Sequence, residues 1–174
     1  LAIIDLSPAG RQPMVSADHR YVLTYNGEIY NFRELRAELE ALGYWFRSRT
    51  DSEVVLNAVA AWGVDAIRRF NGMFAFAVWD RRERRLLLAR DRYGIKPLYI
   101  ARQGDHFAFA SEQKAILAAP GFEPRLDRPA LLEYFTFQNI FTDRTLVDGI
   151  KLLPPGHYAV LDLAREQPEL ERHQ

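Results

Sequence analysis

An α+β fold, in which layers of β-sheet carry helices, is predicted from the order of the elements along the chain. Short apolar and β-branched segments cluster near the start and again between residues 73 and 110, and helical periodicities occur in groups outside these clusters. The chain has 174 residues, of which 48% are hydrophobic. Area scaling indicates that a chain of this length buries about 70% of its unfolded surface, which is enough for one domain with its own core.

Each element is predicted from its local pattern. Strands are predicted where apolar residues alternate or run together between turn residues, at 1–5, 21–25, 44–47, 73–79, 85–90, 98–101, 106–110 and 157–161. Helices are predicted where apolar residues recur every three or four positions, at 32–42, 50–62, 64–70, 111–119 and 127–135. Asn31 and Ser111 are expected to cap two of these helices. The segment 163–174 is predicted to be a polar tail.

Charge and composition argue against several classes of partner. Lys plus Arg and Asp plus Glu each number 23, so the chain has no basic excess for nucleic acid or an anionic membrane. There is no cysteine, which excludes a disulfide or a thiolate nucleophile within these residues. No apolar run is long enough to span a membrane and no secretory signal is visible, so we expect a cytoplasmic protein. Because a strand pattern opens at Leu1, we expect a fragment that lacks its beginning.

The candidate functional residues have two interpretations each. The histidines have no metal-ligand spacing, and the phosphate-loop and serine-hydrolase motifs are missing, so no metal site is expected. Asn26-Gly27 places a carboxamide beside an approachable N–H, which suits an oxyanion hole worth roughly 3–4 kcal/mol per donor, but it suits a plain turn equally well. Asn71-Gly72 is interpreted as a turn. Asp51 can complement a helix start or bind an ammonium group, and Glu28 adds a second acid.

Seven motifs also occur in the order found in a known family. They are LAIIDLS with QPM (1–7 and 12–14), NGEIYN (26–31), TDSEV (50–54), GMFAFA (72–77), RDRYGIKPLY (90–99), SEQKA (111–115) and LPPGH (153–157). In these segments the chain resembles class II glutamine amidotransferase domains, which are N-terminal-nucleophile hydrolases. The resemblance is strongest to the glutaminase domain of glutamine-hydrolysing asparagine synthetases, and it covers nearly the whole chain.

The resemblance implies a fold and a glutamine site. The fold would be a four-layer α-β-β-α sandwich, incomplete at the N-terminus, with a glutaminase domain at 1–162 and a tail at 163–174 leading to a synthetase domain that is absent. Asn26 and Gly27 would form the oxyanion hole, Asp51 would hold the substrate α-ammonium, and Glu28 would line the pocket. Main-chain contacts beside the substrate would come from Leu1, Ala2, Ile3 and Ile4.

The chain also departs from the family pattern. In the family an N-terminal cysteine attacks the glutamine amide with its own α-amine as base, and an arginine grips the substrate carboxylate. Both are missing before Leu1. We therefore expect that residues 1–174 alone neither hydrolyse glutamine nor bind ATP. The parent enzyme would use ATP and Mg²⁺ in its synthetase domain to amidate aspartate.

Two alternatives remain for the function. One is a related amidotransferase that acts on a sugar or cell-wall precursor, and the other is a degenerate, non-catalytic interaction domain. The expected partners are glutamine and the synthetase domain, and an exposed strand edge predicts self-association, including a homodimer. The segment 90–99 is interpreted as architecture, with Arg90 and Asp91 as a structural pair and Lys96 facing a partner domain.

Overall fold

The computed structural model describes residues 8–165 and 170–174, without the side chain of Ala9, and these residues form two compact units. The first unit comprises the described residues up to Lys96 and those from Gly156 onward. The second comprises Pro97–Pro155, so it is an insertion in the sequence of the first. The sequence predicts one domain from its length, and it contains no linker that marks these junctions.

The chain contains nine described strands and five α-helices. The strands are β1 Met14–Val15, β2 Tyr21–Ile29, β3 Gly72–Asp80, β4 Arg85–Arg90, β5 Tyr99–Gln103, β6 His106–Ala110, β7 Ile150–Leu152, β8 Tyr158–Asp162 and β9 Leu170–His173. The α-helices are α1 Phe32–Ala41, α2 Asp51–Trp62, α3 Ala66–Arg69, α4 Gln113–Leu117 and α5 Arg128–Phe137. Short 3₁₀ helices lie at Pro8–Gly10 and Gly63–Asp65.

The first unit is built on an antiparallel sheet in the order β1-β2-β3-β4-β8-β9. One core contains Leu23, Tyr25 and Ile29, which alternate along β2, together with Leu39 of α1 and Val55 of α2. This period-two burial is typical of a strand with one face on a helical layer. In the sheet β2 therefore lies between β1 and β3, and one of its faces packs on the helices.

The second unit has its own antiparallel sheet in the order β6-β5-β7. Its core is small and includes Ala101, Ile116 and Ile150. The antiparallel sheets and helices of the two units together confirm the predicted α+β class. No helix of the described residues is long and apolar enough to cross a membrane.

Three strand predictions need correction or lie outside the described residues. Strand β2 does not end at Asn26-Gly27, because residues 26–28 continue the pairing with β3 as far as Ile29. Residues 44–47 are not a strand, since the N–H groups of Arg47 and Ser48 bond to the Glu53 carboxylate and not to a neighbouring strand. The predicted first strand, 1–5, lies outside the described residues.

The helix caps and the tail also differ from expectation. The Asn31 side chain does not cap α1, because its carboxamide accepts a hydrogen bond from Asn71 N and donates one to Arg69 O, both at 3.0 Å. The N-cap of α4 is Glu112 and not Ser111. The polar tail contains β9, which pairs with β8 and stacks His173 on Tyr158.

Candidate functional site

The outer edge of β2 carries backbone groups that do not face β3. The Tyr25 N–H donates to Oε1 of Gln12 at 2.7 Å, and the Tyr25 carbonyl accepts from Nε2 of Gln12 at 2.9 Å. Four residues further on, the Ile29 N–H donates to Oδ2 of Asp51 at 3.0 Å. Because backbone groups alternate between the two edges of a strand, the N–H of Gly27 points to the same outer edge.

Among the described residues, the Gly27 N–H is therefore an available donor. It lies between the N–H groups of Tyr25 and Ile29, which are already bonded. Among the described residues, β1 pairs with β2 only at Val22 and Leu23, so no described strand reaches the edge at Gly27. On the other side β3 approaches closely. A Cβ on Gly27 would overlap the carbonyl oxygen of Met73 and lie 2.7 Å from Cα of Phe74. The absence of a side chain thus allows Gly27 to belong to the sheet and to present its N–H.

Asp51 is held beside this edge by the start of α2. Thr50 is the N-cap of α2, and its Oγ1 accepts from the Glu53 N–H at 3.2 Å. Asp51 is the first residue of the helix and is 6% exposed. Its Oδ2 accepts from the Tyr25 hydroxyl at 2.7 Å as well as from Ile29. No described residue donates to Oδ1, so this oxygen can receive a further donor.

The turn before α2 is fixed by a second buried carboxylate. Glu53 is 5% exposed and accepts from the N–H groups of Arg47, at 2.9 Å, and Ser48, at 2.7 Å. It also accepts from the Ser48 hydroxyl at 2.6 Å. A charged group that receives several hydrogen bonds is stable in the interior. Glu53 therefore fixes the loop that delivers Asp51 to the edge of β2.

Asn26 and Glu28 lie on the other face of the same strand. Both are half-buried, opposite Ala75 and Met73 of β3. By strand alternation their side chains point away from the face that carries Tyr25 and Ile29. The Glu28 carboxylate makes no hydrogen bond or ion pair with a described residue. The predicted contacts of Leu1, Ala2, Ile3 and Ile4 lie outside the described residues.

Three residues that support this site were not identified as functional from the sequence. Gln12 belongs to the quoted QPM motif, but nothing local indicates that its carboxamide occupies a strand edge. Tyr25 could have been found from alternation, since it stands two residues before Gly27. Glu53 stands three residues after Thr50, which is the spacing of a capping box, and this signal was available.

The segment 90–99 has an architectural role. The Asp91 carboxylate accepts from four backbone N–H groups, those of Phe74, Tyr93, Ile95 and Lys96, at 3.0–3.2 Å. Arg90 donates to the carbonyls of Gly94 and Lys96. The predicted pairing of Arg90 with Asp91 is not what these bonds show, since Arg90 binds carbonyls of the loop that follows it, and Asp91 binds N–H groups of that loop and of Phe74 in β3.

A cavity of about 340 Å³ lies at the opposite end of the first sheet, with Tyr21, Val160 and Asp162 in its lining. Its charged groups are already paired, since Arg85 Nε lies 2.9 Å from Asp162 Oδ2. Within the described residues, no group of three His, Asp or Glu side chains is arranged to hold a metal ion. The candidate site is therefore the outer edge of β2, where Gly27 and Asp51 lie close together.

Comparison with known proteins identifies the family of the chain. Residues 1–173 match the family of glutamine amidotransferase domains. "Asparagine synthetase [glutamine-hydrolyzing] 3" of Bacillus subtilis is 43% identical over 160 residues, which are 90% of this chain and 26% of the relative. A putative asparagine synthetase of Mycobacterium bovis is 39% identical over 99% of this chain and 28% of its own length.

Solved structures show the same fold. Glutamine phosphoribosylpyrophosphate amidotransferase of B. subtilis, solved with ADP and GMP, superposes with a TM-score of 0.61 at 20% identity, over 95% of this chain and 32% of that one. The chain spans about a quarter of the length of the curated relatives it matches. The family match over nearly every residue and these identities lead to one conclusion: the chain belongs to the glutamine amidotransferase domain family, with relatives among the glutamine-hydrolysing asparagine synthetases.

Proposed function

We propose that the outer edge of β2 binds L-glutamine for hydrolysis of its side-chain amide. The Gly27 N–H, together with the Asn26 carboxamide, would stabilise the oxyanion that forms when the amide is attacked. Asp51 would bind the substrate α-ammonium through Oδ1, and Glu28 would line the pocket. The contribution of Leu1, Ala2, Ile3 and Ile4 stays a prediction.

The observation that carries this proposal is the spacing of Gly27 and Asp51 along one strand edge. Strands rise about 3.3 Å per residue, so the N–H groups of Gly27 and Ile29 are roughly 6–7 Å apart. Asp51 accepts from the Ile29 N–H, which puts its carboxylate at one end of this span, and the N–H of Gly27, which no described strand reaches, lies near the other. An extended glutamine places its amino group and side-chain amide at a comparable separation.

The chemistry needs a nucleophile that residues 1–174 do not contain. The chain has no cysteine, and in the resembled family this role belongs to an N-terminal cysteine. We therefore propose that the thiol comes from outside these residues. Within them, Gly27 and Asn26 would stabilise the developing negative charge, and Asp51 would fix the amino-acid end so that the amide carbon is presented to the attacking group.

For the whole enzyme we propose glutamine-dependent synthesis of asparagine. Ammonia released at this site would pass to a synthetase portion that binds ATP and Mg²⁺ and amidates aspartate. The names of the relatives support this acceptor over a sugar or a cell-wall precursor. The cytoplasmic location and the homodimer stay predictions.

Titration of the chain with L-glutamine, followed by ¹H–¹⁵N NMR, tests the binding part of this proposal. We expect saturable shifts at Gly27 and Ile29, and weaker binding of L-asparagine, which is one methylene shorter. Asp51→Asn should weaken glutamine binding at least tenfold, since a hydrogen bond to a charged group is worth roughly 1.5–3 kcal/mol.

The matched control is Asp105→Asn, at an exposed turn between β5 and β6, which should leave the affinity unchanged. Shifts distributed without relation to the β2 edge, or equal affinities of wild type and the Asp51 variant, would refute the proposed site. Folding of each variant is checked from the dispersion of the same spectra.

A further inference from the structure

We infer that Tyr25 is a positioning residue, whose hydroxyl orients the Asp51 carboxylate toward the α-ammonium of the bound amino acid. This inference rests on the proposed function and adds a residue to which neither the motifs nor the resemblance gave a role. Tyr25 acts through Asp51 and does not itself contact the substrate. Three features support this role: the bond from the Tyr25 hydroxyl to Asp51, the fixed backbone of Tyr25, and the Asp51 Oδ1 atom, which no described residue binds.

The first step is the convergence of two donors on one oxygen. The Tyr25 hydroxyl and the Ile29 N–H both bind Oδ2 of Asp51, at 2.7 and 3.0 Å. A carboxylate held by two donors at one oxygen has little freedom to rotate about its Cβ–Cγ bond. Oδ1, which no described residue binds, is thereby presented in a fixed direction.

The second step is the rigidity of Tyr25 itself. Its side chain is 6% exposed and packs in the core of the first unit. Its backbone N–H and carbonyl are both bonded to the Gln12 carboxamide, so the residue cannot slide along the edge. The phenol therefore connects a fixed point of β2 to the first residue of α2.

The third step concerns the protonation state of the phenol. Burial, and after it the negative charge of Asp51, raises the pKa of Tyr25 far above its usual value of 10.0. The hydroxyl consequently keeps its proton at neutral pH and remains a donor to Oδ2. A residue that only filled space at this position would not need that hydroxyl, and phenylalanine would serve.

A two-ligand titration separates positioning from packing. The chain is titrated with L-glutamine and with 4-carbamoylbutanoate, which keeps the side-chain amide and lacks the α-amino group. Tyr25→Phe should weaken L-glutamine binding about five- to tenfold and 4-carbamoylbutanoate binding less than twofold. Tyr21→Phe, four residues earlier on the same face of β2, has no bond to Asp51 and should change neither affinity.

The difference between the two ligands is the readout that a merely structural role of Tyr25 would not change. An equal loss for both ligands would show a structural role and overturn the inference, as would an unchanged affinity for glutamine. Failure of the wild type to bind glutamine would instead overturn the proposed function, and the inference with it.

Discussion

The buried carboxylates of the first unit and helix α5 of the second place polar and apolar side chains in opposite ways. In the first unit Asp51, Glu53 and Asp91 are at most 6% exposed, and each accepts hydrogen bonds from backbone N–H groups. In the second unit α5 exposes Leu132, Phe135 and Phe137 at 61–74%, and only Ala130 of this helix is fully buried. Charges are thus buried at these three carboxylates, and large apolar groups are exposed on α5.

The difference shows what each kind of residue requires. A buried carboxylate is stable when nearby loops supply its donors, and those loops are then fixed in return. An exposed apolar helix gains no burial energy in the chain itself, although Glu133 holds its end by accepting from the Phe141 N–H at 2.7 Å. The carboxylates therefore stabilise the fold of the first unit, whereas Leu132, Phe135 and Phe137 of α5 bury little apolar surface in the second.

The largest expected effect is at Asp91. Asp91→Ala leaves the N–H groups of Phe74, Tyr93, Ile95 and Lys96 without their acceptor, and water can replace it only in part. We expect the free energy of unfolding to fall by about 4 kcal/mol. Urea unfolding followed by tryptophan fluorescence measures this, since all three tryptophans lie in the first unit. A loss no larger than that of Asp105→Ala, at an exposed turn, would contradict the comparison.

Glu53→Gln should have the next largest effect. The substitution keeps the size of the side chain but turns an amide N–H₂ toward the donors of Arg47 and Ser48. We expect a loss of about 2 kcal/mol in the same urea experiment. Glu34→Gln, at an exposed position in the first turn of α1, is the matched control and should change the stability by less than about 0.5 kcal/mol.

Asp80 extends the comparison to a carboxylate that is less buried than Asp51, Glu53 and Asp91. Partial burial opposes ionisation of Asp80, but hydrogen bonds from Arg20 and from the N–H groups of Glu83 and Arg82 outweigh it and hold its pKa below the usual 3.8. A carboxyl group whose pKa is lower in the folded than in the unfolded state stabilises the folded protein at a pH above its unfolded-state pKa. This stabilisation is lost as the pH falls through the folded-state pKa. Asp80→Asn should therefore cost about 1 kcal/mol at pH 7.

This cost should shrink as the pH falls below about 4, because wild-type Asp80 then takes up a proton. Urea unfolding at pH 7, 4 and 2.5 measures the difference between the two proteins. A difference that stays constant across this range would mean that the charge of Asp80 is not what stabilises the pair with Arg20.

The smallest effect on stability is expected at α5. Phe135 is 74% exposed, so Phe135→Ser should change the free energy of unfolding by less than about 0.5 kcal/mol, measured by circular dichroism. The same substitution should lower any self-association seen by sedimentation velocity, because large exposed apolar patches promote association. A marked loss of stability would show that the ring contributes to the fold of the second unit.

Apolar runs bounded by caps and turn residues predicted several elements closely. The predicted helix 50–62 and the predicted strands 85–90 and 106–110 match α2, β4 and β6, although α2 is buried from Asp51 to Val59 and β4 is buried on both faces. Contacts between distant segments were not predictable. Asn31 has the sequence of an N-cap, and yet it bonds residues 69–71, which lie some forty positions later in the chain.

The candidate site was predictable in its residues and not in its arrangement. Asn26-Gly27 fits a turn and a strand equally well from its local sequence, and only the pairing with β3 decides for the strand. The function of its residues stays a prediction. The donors to Asp51 come from β2, which no spacing within the TDSEV motif indicates.

Gln12 has a consequence for how this protein behaves among other polypeptides. An open strand edge attracts extended chains, which add to it as extra strands and lead to aggregation. For such an addition the incoming chain would need the backbone groups of Tyr25, Gly27 and Ile29 in succession. The Gln12 carboxamide occupies those of Tyr25, and Asp51 occupies the Ile29 N–H. Among the described residues, the part of this edge left without a partner is therefore reduced to the N–H of Gly27, which is too short to template a β-ladder.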